Sequence, residues 1–149
     1  MSEPVYVGAD HAGFALKAKL VAELRRLGYE PVDVGPHTLD PADDYPDFAR
    51  PVAEAVSRGA ARLGVLTCGS GIGMAIAANR YPGVRAALAW APEVAELARR
   101  HNDANVLVLP ARFMDEAEAL EALRRWLRAA FEGGRHERRV RKMEADARA

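Results

Sequence analysis

Short apolar runs alternate with amphipathic stretches along most of this 149-residue chain, and that alternation restricts the fold more than any other feature. PVYVG (4–8) leads into AGFALKAKLVAELRRLG (12–28), whose Phe14, Leu16, Leu20, Leu24 and Leu27 fall mostly at helical spacing. YEPVDVG (29–35) reads as a second strand, PHTLDPADDYP (36–46) as a loop, and FARPVAEAVSRG (48–59) as a helix with Pro51 in its first turn and Gly59 at its end. LGVLTC (63–68) is a third strand, followed by a glycine-rich turn and the helix IGMAIAANR (72–80). The pattern then repeats as strand 84–90, helix 92–102 opened by Pro92, strand 105–110 and helix 115–131, with acidic residues early and arginines late, as the helix dipole prefers.

Five strands alternating with helices predict a three-layer α/β/α, Rossmann-like sandwich around a five-stranded parallel sheet covered on both faces. Residues 1–149 form one domain, with a charged helical extension from about residue 133. Sheets of this kind bind ligands at the carboxyl ends of their strands.

Lys+Arg and Asp+Glu both total 21, so the overall field gives no reason to expect nucleic acid or a membrane surface as a partner. One cysteine excludes an internal disulfide and suits a reducing, cytoplasmic setting; with four scattered histidines it shows no metal-ligand spacing. No signal-peptide pattern and no membrane-length apolar run is visible.

Chemistry concentrates in three polar clusters expected at strand carboxyl ends, on one face of the sheet: GADHAG (8–13), CGSGIG (68–73) and RHNDAN (100–105). Cys68 reads either as a small buried hydrophobe ending a strand or as a thiol drawn toward thiolate by the amides of the turn that follows. Asp10 reads as a helix cap or a ligand-binding carboxylate, His11 as a solvated turn residue or an anion contact, and His101 as a surface residue near a helix C-terminus or a proton donor. GSGIG alone is a weak motif, since close packing also selects glycine. RHERRVRK reads by itself as a solvated charged tail or a nucleic-acid patch.

Together, GADHAGF, DYP (44–46), CGSGIGMAIAAN (68–79), RHNDANVL (100–107) and EGGRHERRV (132–140) resemble the type B ribose-5-phosphate isomerases, in family order and over nearly the whole chain. The resemblance implies a cofactor-free, metal-free aldose–ketose isomerase of carbohydrate metabolism. It would interconvert ribose 5-phosphate and ribulose 5-phosphate through a cis-enediolate, in the pentose phosphate pathway. Cys68 matches the catalytic base, His101 the ring-opening histidine, and Ser70 a position where many relatives carry threonine. Asp10 matches a residue binding the ring hydroxyls and Asn102 one that bonds the enediolate oxygens, which the amides of Gly69, Ser70, Gly71, Ile72 and Gly73 would also face. Tyr45 matches a tyrosine lining the pocket, with simple loop packing as its other reading.

His11, Arg112, Arg135 and Arg139 match positions that hold the phosphate, and the i, i+4 spacing of Arg135 and Arg139 puts both guanidiniums on one helix face. In the family the extension crosses a twofold axis, which implies a homodimer with shared active sites, able to pair into a dimer of dimers. Two sister activities stand beside this one, on galactose 6-phosphate and allose 6-phosphate. Galactose-6-phosphate isomerases divide their catalytic residues between two different subunits, whereas this chain carries the whole set. A non-catalytic phosphate- or nucleotide-binding regulatory domain would share the fold but leave Cys68, His101 and Asn102 without a purpose. A dinucleotide site is weaker, because GADHAG lacks the full glycine fingerprint.

Overall fold

The computed structural model describes residues 2–148, with side chains through residue 145. Its order is β1 (Pro4–Ala9), a 3-10 turn (His11–Gly13), α1 (Phe14–Arg26), β2 (Glu30–Asp33), α2 (Pro46–Ser57), β3 (Leu63–Cys68), α3 (Ile72–Ala78), β4 (Ala86–Leu88), α4 (Pro92–Asn102), β5 (Val106–Pro110), α5 (Glu116–Arg128) and α6 (Arg135–Arg148). All strand pairings are parallel, in the order β2-β1-β3-β5-β4. The expected α/β sandwich and its helical extension are both present.

Period-2 alternation in the central strands feeds two cores. Val5, Val7, Leu63, Val65, Leu107 and Leu109 pack with Leu20, Leu24, Leu123 and Trp126 of α1 and α5. Leu66, Cys68, Val106 and Val108 face the other way, against Val52 and Ala53 of α2 and Met74 and Ala78 of α3. The central strands β3 and β5 are therefore buried at every position, because neither face meets water.

Local chemistry sets the helix ends. Asp115 and Glu118 form a capping box that starts α5, and Asp103, at φ 49°, stops α4 in a left-handed turn. One expected boundary is corrected: α2 begins at Pro46, two residues before the anticipated start, and Pro51 lies inside it. Pro46 has the ring-fixed φ that suits a first turn, so the helix takes the earlier proline as its opening residue.

Candidate active site

β1 and β3 are neighbours in the sheet, so their carboxyl ends deliver Asp10, His11 and Cys68 to one rim. A cavity of about 320 Å³ opens there, lined by Asp10, His11, Tyr45, Cys68, Ser70 and Arg112 among others. Cys68 is buried at 5% exposure. Asp10 acts as the cap weighed for it, its Oδ1 accepting from the Ala12 and Gly13 amides at 2.9 and 3.2 Å, and the residue also lines the cavity. His11 is tied down by Asp43, whose Oδ1 accepts from both the His11 backbone N–H and Nδ1.

The turn after Cys68 depends on glycine. Gly71 has φ 78°, and a β-carbon there would run into Leu88. At Gly73 a β-carbon would stand 2.6 Å from the Tyr45 ring, so the missing side chain is what lets that ring lie against α3. The Ile72 amide donates to Ser70 Oγ at 3.2 Å. Among the described residues no hydrogen bond engages the amides of Gly69, Ser70 and Gly71. Arg112 crosses above Gly69, its backbone N–H bonded to the Gly69 carbonyl at 3.0 Å. Phe113, 75% exposed, also lines the cavity, and no motif in the sequence had pointed to it.

The third cluster is elsewhere, which corrects the expectation that all three share one face. A parallel sheet requires α4 to run back from the carboxyl rim, so its last residues, His101 and Asn102, lie where β5 begins. Val106 pairs with Gly64 and Pro110 with Cys68, so the length of β3 separates this rim from the thiol, about 13 Å at ~3.3 Å per residue. RHNDAN thus precedes a strand rather than following one.

At this amino rim the extension folds back on its own chain. His136 of α6 stacks on His101 of α4, and Glu144 pairs with Arg85 at 2.7 Å. Glu132 Oε2 lies 2.6 Å from Arg100 and 3.7 Å from His101 Nε2. Burial pushes the Glu132 carboxyl up, but the hydrogen bond and charge of Arg100, helped by His101 and His136, outweigh it and hold the group below its ordinary value. Arg135 and Arg139 are exposed and make no ion pair among the described residues. Asn102 lines a second cavity of about 390 Å³ with Tyr81, Arg85, Met143 and Glu144.

Among the described residues, two groups bring three metal-ligating atoms within 4.8 Å of one another: His101, Glu132 and His136, and Asp10, His11 and Asp43. An imidazole donates its lone pair in the ring plane, so rings stacked 9° from parallel cannot both aim at one ion. In the second group His11 Nδ1 is already engaged by Asp43.

The carboxyl rim therefore offers a thiol, a carboxylate, an imidazole, a guanidinium and a run of unengaged amides around one small cavity. That set can bind a small anionic polyol and move a proton within it. No helix among the described residues is long and apolar enough to cross a membrane.

Comparison with known proteins agrees with this chemistry. The Ribose/Galactose Isomerase family matches residues 5–143. The probable ribose-5-phosphate isomerase B of Mycoplasma pneumoniae is 43% identical over 145 residues, 97% of this chain and 95% of its own. Ribose-5-phosphate isomerase B of Escherichia coli is 43% identical over 138 residues, 93% and 92% of the two chains. The Mycoplasma genitalium ribose-5-phosphate isomerase B, solved with bound ribulose-5-phosphate, superposes with a TM-score of 0.96 at 42% identity, covering 99% of this chain and 98% of that one. The type B enzyme of Trypanosoma brucei gives 0.93 at 45%, covering 98% and 99%. With a family match over residues 5–143 and relatives that cover almost its whole length, the chain belongs to the ribose/galactose isomerase family.

Proposed function

We propose that this protein interconverts D-ribose 5-phosphate and D-ribulose 5-phosphate, a step of the pentose phosphate pathway, and that Cys68 is its base. The observation that carries the reading is Cys68 at the end of β3, in a cavity with Asp10, His11 and Arg112 and beside unengaged turn amides, in a chain of this family. In the open aldose the Cys68 thiolate takes the proton from carbon 2. The electron pair forms the carbon 1–carbon 2 double bond, and the carbonyl oxygen becomes an oxyanion facing the turn after Cys68, whose amides at Gly69, Ser70 and Gly71 are unengaged. A proton passes from the carbon 2 hydroxyl to that oxygen, and Cys68 returns its own proton to carbon 1, which leaves the ketose. Ser70 steadies the oxygen that exchanges its proton, Asp10 holds the sugar hydroxyls, and Tyr45 closes one wall.

His101 opens the furanose, Asn102 binds the enediolate oxygens, and Arg135 and Arg139 take the phosphate with His11 and Arg112. Four of these residues stand on the amino rim, a strand's length from Cys68 of the same chain. The working enzyme is therefore a homodimer in which each carboxyl rim meets the partner's amino rim, and dimers can pair further. Exposed apolar residues support such a contact: Ile72 and Ile76, one turn apart on α3, are 55% and 57% exposed, and Trp90 and Phe113 are 61% and 75% exposed. A thiolate base needs a reducing compartment, which is why the cytoplasm is its setting.

Purified protein is expected to convert ribose 5-phosphate without added metal or nucleotide, and faster than it converts allose 6-phosphate. Cys68→Ala should lose about 1,000-fold or more in kcat while still binding substrate. Wild-type turnover in that variant would remove Cys68 from its role.

A further inference from the structure

His11 opens the turn after β1 and lines the carboxyl-rim cavity; Asp43 comes from the loop before α2, 32 residues away. Asp43 Oδ1 accepts twice from His11, from the backbone N–H at 3.0 Å and from Nδ1 at 2.8 Å. The Asp43 side chain is 8% exposed, against 31% for His11, and Asp43 Oδ2 is buried with no hydrogen-bond partner among the described residues.

The direction of the bond has a chemical consequence. An ionised carboxylate only accepts, so Nδ1 carries a hydrogen and Nε2 is the ring nitrogen left for a ligand. For Nε2 to donate to a phosphate it must carry a hydrogen as well, which makes the ring positive. The counter-ion is then Asp43, 2.8 Å behind it. The other titratable groups on the same cavity are Asp10, Tyr45, Cys68 and Arg112; of these Asp10 spends Oδ1 on backbone amides, and Arg112 adds a second positive charge.

We infer that Asp43 is a positioning residue for the substrate's phosphate: it fixes His11 with Nδ1–H turned into the protein and Nε2 turned to the cavity as a charge-balanced donor. The inference rests on the isomerase reading, in which His11 meets the phosphate. Asp43→Asn keeps an acceptor for the backbone N–H but removes the charge, and so separates positioning from loop-tying.

The expected result for Asp43→Asn is a KM for ribose 5-phosphate and an inhibition constant for inorganic phosphate both raised about tenfold, with kcat within about twofold and an unchanged Tm. In a His11→Gln background the same change should move neither constant further. Wild-type constants in Asp43→Asn, or a full additional loss in the His11→Gln background, would overturn the inference. Ring 15N NMR of the free protein should find the neutral His11 ring protonated at Nδ1 in wild type and at Nε2 in Asp43→Ala. A wild-type ring protonated at Nε2 would also overturn it. Should the wild type turn over no ribose 5-phosphate, the isomerase reading fails, while the NMR and phosphate titrations still decide the role of Asp43.

Discussion

The imidazole rings of His101 and His136 stack with centroids 4.3 Å apart and planes 9° from parallel, which joins the end of α4 to the start of α6. Burial, then the charges of Arg135 and His101, lower the pKa of His136 from 6.5, against the opposing pull of Glu132. The folded value lies below the unfolded one, so in that window the unfolded chain binds a proton that the native state resists. This contribution to stability is present above pH 6.5 and is lost as the pH falls toward and through the folded value. Urea midpoints measured from about pH 7 to about pH 5 should fall in wild type and fall less steeply in His136→Gln.

Glu23 of α1 sends the opposite end of its range to the same kind of test. Hydrogen bonds from Arg26 and then Arg124 bring its pKa from 4.5 down to about 2, despite burial. Its stabilising effect is present above pH 4.5 and lost as the pH falls through about 2. Arg124 belongs to α5 and reaches Glu23 at 2.6 Å, so the pair fastens two helices on one face of the sheet. Arg124→Ala should lower unfolding free energy by about 1–3 kcal/mol and move the acid transition to higher pH, as read by circular dichroism.

The two inner glycines of the turn should fail differently. Gly71→Ala meets both a positive φ and the Leu88 side chain, and should cost about 1–3 kcal/mol of stability. Gly73→Ala has no such backbone demand but pushes on the Tyr45 ring, which is 40% exposed and free to swing outward. Its Tm should stay near wild type while kcat/KM falls about tenfold or more, a split that calorimetry and steady-state kinetics on the same samples would reveal.

Mixing two dead proteins should restore activity. Cys68→Ala damages the carboxyl rim and His101→Asn the amino rim, so in the shared-site dimer proposed above a heterodimer would contain one intact site and one doubly damaged site. Random exchange makes half the dimers mixed, and about a quarter of wild-type activity should return after co-refolding. Recovery that stays at the level of either parent alone would mean that each chain builds its site unaided.

Segments with local punctuation were legible residue by residue. LGVLTC ends at its glycine turn and forms β3 over the expected residues, and α4 runs from Pro92 to Asn102 as read. Where punctuation competed, the boundary moved: both Pro46 and Pro51 can open a helix, and only the structure chooses. The carboxyl-rim residues Asp10, His11 and Ser70 were legible because each closely follows a strand within a polar cluster, whereas Arg112 lies in no such cluster and was reached only through the family resemblance. His101 and Asn102 adjoin β5 just as closely, but adjacency does not say which end of the strand is meant. The His101–His136 stack and the Asp43–His11 pair were invisible for another reason: they join residues far apart in the chain, and no single motif contains both partners.

The two tryptophans divide between the cores and the rim. Trp126 is wholly buried and donates from Nε1 to the Ala104 carbonyl at 3.2 Å, two residues past the end of α4, whereas Trp90 follows β4 at the opposite end and lies open. The chain thus carries two optical probes with separate duties. Trp126 emission reports loss of the fold, and in the homodimer proposed above a blue shift confined to Trp90 would report a second subunit settling on the carboxyl rim, so assembly and unfolding could be followed in one cuvette without a dye.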